Sequence, residues 1–241
     1  MKFSKQKLNN EQGCGGGCAH SSEKEEAMDN IQFINPFLPE EPHNKIEIAG
    51  DITEEKGTMA VAAIMAMVLH DEEQLSARQD AIKEEEQLAK EEGREPEEVP
   101  AYVPSMATIL VSSNGGFLEE MLAICDAIAW LKKTRTVQII AIGKIASAAV
   151  PIVASGTPGF RRTTPNTRFG LHDPQIGIQG SIRDTIEELK IEKKYADRYF
   201  SILESTTNIK KAGILKKIHR KSMVWYDAEQ AKEFGIIDHI S

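Results

Sequence analysis

The feature that most constrains this chain of 241 residues is a recurring unit. A short run rich in β-branched residues ends in a turn of glycine or other small residues, and a helical pattern follows. The unit starts at 45–49 before Gly50 and Asp51, and at 107–111 before Ser112, Ser113, Asn114, Gly115 and Gly116. It recurs at 137–142 before Gly143, and a short strand at 168–171 leads to His172. Strands alternating with helices through short loops build a largely parallel sheet. The predicted fold class is α/β, made of repeated strand–helix units.

Helices are expected at about 53–69, 117–133, 147–155, 181–204, 208–220 and 228–234, with a last strand at 236–240. The helix at 53–69 is so dense in Ala, Met, Ile and Val that most of its circumference should be buried, in the core or between subunits. The net charge of −8 is local, because residues 71–98 hold twelve acidic and four basic side chains. Such a block predicts an acidic helical insertion over 71–104, a projecting helix or helical hairpin ended by Gly93, Pro96 and Pro100. Residues 1–44 read as a flexible or extended segment, Gly-rich at its centre, with Pro36, Pro39 and Pro42 near its end. That leaves 45–241 as one domain.

Composition narrows the function classes. Hydrophobic residues make up 41% and charged residues 27%, as in soluble globular proteins. No apolar run approaches the ~18 residues of a membrane span, and the polar N-terminus lacks a secretory core. The expected setting is cytoplasmic, with no membrane association. No basic footprint suggests nucleic acid. Cys14 and Cys18 flank three glycines beside His20, too few ligands for a metal site, and Cys125 fits a buried helical position. No metal or cofactor is expected.

Two residues sit where nucleophilic catalysis would place them. Ser147 follows the buried strand 137–142 in a turn of small residues, at or just before a helix start. Unpaired backbone N–H groups there can stabilise an oxyanion. His172 follows the strand 168–171. In a parallel sheet, the loop 112–116 and the Ser147 turn converge at the carboxyl edge. The N–H groups of Gly115 and Ala148 are the candidate oxyanion donors.

At this point the chain resembles the proteolytic subunit of the Clp (caseinolytic) protease, the ClpP family with its crotonase-like fold. Ser113-Asn114-Gly115-Gly116 is similar to that family's Ser-Pro-Gly-Gly loop. The stretch from Gly143 through Lys144, Ile145, Ala146, Ser147, Ala148 and Ala149 to Val150 resembles its nucleophile motif. Pro165-Asn166-Thr167-Arg168 and Leu171-His172-Asp173-Pro174 follow in order, then Gln179-Gly180. The terminal motif resembles Glu229-Gln230-Ala231-Lys232-Glu233-Phe234-Gly235-Ile236-Ile237-Asp238. The resemblance covers about 45–240, interrupted by the acidic block.

The resemblance implies Ser147 as nucleophile and His172 as general base. It implies that Gly177, Ile178, Gln179 and Gly180, with the long helix after them, form a handle that lines the substrate groove and pairs two rings. An unfolded polypeptide would bind there as an added strand and leave as short peptides. The implied assembly is a homo-oligomer of stacked heptameric rings working with an AAA+ unfoldase. An acyl-CoA enzyme of crotonase-like fold shares the two-donor oxyanion hole but uses a Glu or Asp as acid–base, so the Ser–His pairing points away from it. One departure matters most. Met223 occupies the position of the family's third triad member, an aspartate, and Val224 replaces an arginine used between rings. Asp227 is the substitute expected for that carboxylate, ahead of Asp173. A catalytically impaired ring subunit that modifies an active paralogue is the alternative.

Overall fold

The β-branched runs form parallel strands, and each turn at a strand's carboxyl end leads into a helix. The computed structural model describes residues 44–175, 177, 180–218 and 223–241. The N-terminal segment 1–43, with Cys14, Cys18 and His20, lies outside the described residues. The elements are β1 (Lys45–Ile52), α1 (Glu54–Glu92), β2 (Ala107–Gly116), α2 (Leu118–Leu131), β3 (Val137–Ala146) and α3 (Ala149–Ala154). They continue with β4 (Arg161–Thr163), β5 (Arg168–Leu171), α4 (Ile182–Thr206), α5 (Lys211–Ile218), β6 (Val224–Tyr226), α6 (Ala228–Glu233) and β7 (His239–Ile240).

The strand order is β1-β2-β3-β4-β7, all parallel. This is the α/β class that the alternation predicts. Strand β3 serves two partners: Ile139, Ile140 and Ala141 pair with β4, and Lys144, Ile145 and Ala146 pair with β5. Strand β6 then adds to β5 antiparallel. Strands β1 to β3 run further than their apolar cores, because the small turn residues keep pairing: Asp51 with Gly115, Ile52 with Gly116, and Ser113 with Ile145. Strands β4 and β6, three residues each, are too short to leave a sequence pattern. Alternate residues Ile109, Val111, Ile139 and Ala141 are fully buried against Ile124, Ile128 and Leu131 in one core.

The acidic block resolves to a continuous helix. Helix α1 runs for 39 residues, about 58 Å, from its N-cap Thr53 to Gly93, where a left-handed residue ends it. A hairpin of two helices is therefore excluded. The segment 94–106 returns along the arm through Arg94 and the Glu97 N–H, both on Glu85, and the Tyr102 hydroxyl on Asp71. Within one chain, the core covers only part of the circumference of 53–69. Gly57, Ala60, Ile64, Met67 and Val68 are buried, but Met59 is 64% and Leu69 60% exposed, because α1 packs on the domain through one side only.

Asp71 also departs from its block. It is completely buried where the arm leaves the domain and accepts from Arg135, Thr134 and Tyr102. Burial pushes its carboxyl up, but those hydrogen bonds outweigh it and hold it below the ordinary carboxylate range. At the other edge of the sheet, Asp238 receives two bonds from the Arg161 side chain and the backbone N–H groups of Gly159 and Arg161. The terminal motif thus ties β4 to the last strand. Among the described residues, no helix is long and apolar enough to cross a membrane.

Candidate functional site

Ser147 is held in a strained turn. Its N–H extends the β3–β5 ladder onto the Gly170 carbonyl at 2.8 Å, and its carbonyl accepts from Val150 at 3.0 Å. Between these bonds the backbone reverses into α3 within two residues. The turn needs φ of +54° at Ser147, the one positive φ outside glycine among the described residues. Such a conformation costs about 1 kcal/mol or more and recurs where a serine is presented at a strand-to-helix turn. The side chain is half-buried, and α3 behind it is wholly buried.

Gly115 lies directly against this turn. Its φ is +98°, and a Cβ built there would fall 2.5 Å from Ser147 Cβ, 2.7 Å from the Ala146 carbonyl oxygen and 2.9 Å from Ala148 N. Only glycine fits, so β2 and β3 bring Gly115, Ser147 and Ala148 together. The two N–H groups differ. The Gly115 N–H donates to Ser113 Oγ at 3.1 Å. The Ala148 N–H meets no acceptor among the described residues, although Ala148 is fully buried. An unpartnered buried N–H is costly, and a site whose substrate brings the acceptor is one place where it persists.

His172 is the first residue after β5, one register step past the strand that anchors Ser147. It is half-buried, and its Nδ1 meets the Asp173 carbonyl oxygen at 2.7 Å. A carbonyl accepts only, so this bond puts the proton on Nδ1 and leaves the Nε2 lone pair to take a proton. Continuing the β5–β6 register past Leu171 and Val224 places Met223 opposite His172. Met223 Sδ and the Trp225 ring crowd the Gly170 position on the same face. The strand face beside His172 therefore carries a thioether where an orienting carboxylate would stand.

Asp227 is not brought to His172. The same register puts it at the opposite end of β6, level with Arg168 and four residues from His172, about 13 Å along the strand. Its carboxylate is engaged as the N-cap of α6, accepting from the Gln230 N–H at 2.9 Å in a capping box. Sequence distance favoured Asp227, but antiparallel pairing carries each successive residue of β6 away from the histidine. Asp173 enters the site differently, through its backbone carbonyl. That contribution leaves no side-chain signal in a sequence.

Gly177 and Gly180 are exposed, just ahead of α4, while Ile178 and Gln179 lie outside the described residues. Among the described residues no three His, Cys, Asp or Glu side chains form a metal-holding group. Cys125 is buried, and burial pushes its thiol up to about 12, which removes it as a nucleophile. An apolar cavity of about 360 Å³ lined by Ile46, Ala63, Ala66, Met67 and His70 lies at the amino end of β1. It is at the opposite edge of the sheet from Ser147 and takes no part in this chemistry.

Known proteins share this half of the chain. Residues 105–241 match the family model described as Clp protease. The "ATP-dependent Clp protease proteolytic subunit 2" of Mycobacterium bovis is 32% identical over 136 residues, 55% of this chain and 61% of that protein. Subunit 1 of Mycolicibacterium paratuberculosis is 33% identical over 137 residues, covering 55% and 62%. Subunit 3 of Nocardia farcinica is 32% identical over 137 residues, covering 55% and 59%. The chain spans about three-fifths of the length of these curated relatives, and the acidic arm falls outside the family match. A match running unbroken from the strand before the Gly-Gly turn to the last residue makes this chain a member of the Clp protease family.

Proposed function

We propose that the chain is a serine endopeptidase subunit of a self-compartmentalised ring protease that cuts unfolded polypeptides to short peptides. The observation that carries this reading is the strained Ser147 turn, packed on Gly115 and followed by an Ala148 N–H that meets no acceptor among the described residues. Ser147 Oγ attacks the scissile carbonyl carbon while its proton passes to His172 Nε2. The oxyanion takes the Ala148 N–H, and the Gly115 N–H once it is released from Ser113. Collapse breaks the C–N bond as the proton moves from Nε2 to the leaving amine. Water then repeats the sequence on the acyl-enzyme and frees Ser147.

The curated relatives are named as proteolytic subunits of ATP-dependent Clp proteases, which supports an ATP-driven partner, here an AAA+ unfoldase. The homo-oligomeric stack of rings and the cytoplasmic setting are what the family resemblance implies. Residues 177–180 and α4 are assigned to substrate binding between the rings. The arm over 71–104 is assigned as an insertion that projects from the ring and governs a partner's access.

A second reading has its own observation. With Met223 opposite His172, a carbonyl dipole orients the imidazole but supplies no full charge to stabilise the imidazolium. Loss of the carboxylate in a comparable triad lowers turnover about 10⁴-fold. The chain would then be an impaired ring subunit that modifies an active paralogue. Labelling with a serine-directed phosphonate separates the two readings. Stoichiometric modification of Ser147, absent in Ser147→Ala, supports the peptidase; an unmodified Ser147 in an assembled oligomer supports the impaired subunit.

A further inference from the structure

Lys144 on β3 and Arg168 on β5 are register partners, two positions before the pair Ala146 and Gly170. Both are exposed, and neither forms an ion pair or a side-chain hydrogen bond among the described residues. Opposed residues on neighbouring strands point to one face of a sheet, so both cations stand on the Gly170 face. Trp225 covers the same face. A Cβ built on Gly170 would fall 2.8 Å from the indole ring and 2.9 Å from Met223 Sδ. The Gly170 carbonyl accepts the Ser147 N–H at 2.8 Å, which puts that ring beside the nucleophile's turn. Trp225 is 39% exposed, and Lys144 Nζ sits 5.6 Å from the centre of its ring. A cation over an indole is ordered by the negative face of the ring. The carboxylate level with Arg168 on the β6 side, that of Asp227, is engaged in capping α6.

We propose that Lys144, Arg168 and Trp225 form a subsite of the proposed peptidase that takes an acidic side chain, Asp or Glu, of the bound polypeptide. Charge decides the occupant. Two cations without a counter-charge stand on the strand face that leads to Ser147, and an anionic group is the one they attract. Trp225 holds the Lys144 ammonium in place, so less freedom is lost when a carboxylate arrives. An apolar side chain would leave the ammonium and the guanidinium unmatched. Lys144 is three residues before Ser147, about 10 Å in an extended strand. The acidic residue therefore sits within about three positions of the scissile bond of an extended peptide. The inference rests on the Ser147–His172 reading, which fixes where that bond lies.

The test is a set of amidated, internally quenched peptides with Glu or Gln at each of the three positions on either side of the cleaved bond, assayed with the full-length oligomer. At one of those positions the Glu peptide should have a kcat/KM about three-fold or more above its Gln twin. The ratio should shrink in about 0.5 M salt and fall to about one in Lys144→Gln with Arg168→Gln, while Lys144→Arg keeps it. Binding is read separately in Ser147→Ala carrying Trp130→Phe, where Trp225 is the only tryptophan left. There the Glu peptide should shift the fluorescence at a lower concentration than its Gln twin. Equal cleavage of every Glu and Gln pair overturns the inference and leaves the peptidase reading standing. So does a ratio that survives the double substitution. A wild type that takes no phosphonate label and cleaves nothing overturns the peptidase reading. In that case the inference stands if Trp225 still separates the two peptides and falls if it does not.

Discussion

Replacing Asp71 by Asn tests the buried clamp at the base of the arm. Asp71 is wholly buried, and the Arg135 side chain beside it is 3% exposed. Both carboxylate oxygens take bonds from the Arg135 guanidinium, and the hydroxyls of Thr134 and Tyr102 each donate at 2.7 Å. The amide keeps the shape but removes the charge and turns an NH₂ toward a guanidinium that has only donors. Removing one partner of a buried pair costs about 3–5 kcal/mol, since the remaining charge stays buried. Typical domains have a total stability of about 5–15 kcal/mol, so the loss is a large fraction.

Urea unfolding at fixed protein concentration should show a lower midpoint at pH 7 with little change in slope. The pH dependence has a definite sign. The folded Asp71 carboxyl is held below its unfolded value, so its contribution is complete above the ordinary carboxylate range. It is lost as pH falls through the lower, folded value. The gap between wild type and Asp71→Asn should therefore be constant from pH 7 to about 5 and close below about 4. Replacing both partners, as Asp71→Leu with Arg135→Met, should recover much of the loss. A destabilisation under about 1 kcal/mol at pH 7, or a gap that widens in acid, would refute the reasoning.

Two further substitutions probe the site itself. Gly115→Ala forces a Cβ to within 2.5 Å of Ser147 Cβ at a φ of +98°, so it should cost about 2 kcal/mol or more and slow Ser147 labelling at least about 100-fold. A variant that still labels at the wild-type rate would remove Gly115 from the site. Ser147→Gly and Ser147→Ala should both abolish labelling, but the glycine variant should be more stable by about 1 kcal/mol, because φ of +54° strains any residue with a Cβ. Equal urea midpoints for the two would mean that the turn stores no strain.

The placement of the candidate residues in the fold was legible because its signals are local. Ser147, His172 and Gly115 each sit at the end of an apolar run, in a turn whose small residues announce a sharp reversal. What sequence reading missed was set by pairing between strands. Asp227 lies nearer than Asp173 to the Met223 position in the chain's terminal motif, yet antiparallel register carries it to the far end of β6, where it caps a helix. Asp71 reads as one more residue of an acidic, solvent-facing block, yet Arg135, Thr134 and Tyr102 enclose it.

The sequence by itself determined the α/β class, the strand-end positions of Ser147 and His172, and the helical character of the acidic block. Periodicity and turn chemistry act over a few residues and can be read in order. Tertiary structure alone decided what holds His172: the Asp173 carbonyl on Nδ1. It also decided that, among the described residues, the Gly115 N–H is occupied by Ser113 while that of Ala148 is not. These outcomes depend on register and on backbone groups, which every residue carries and no sequence pattern distinguishes.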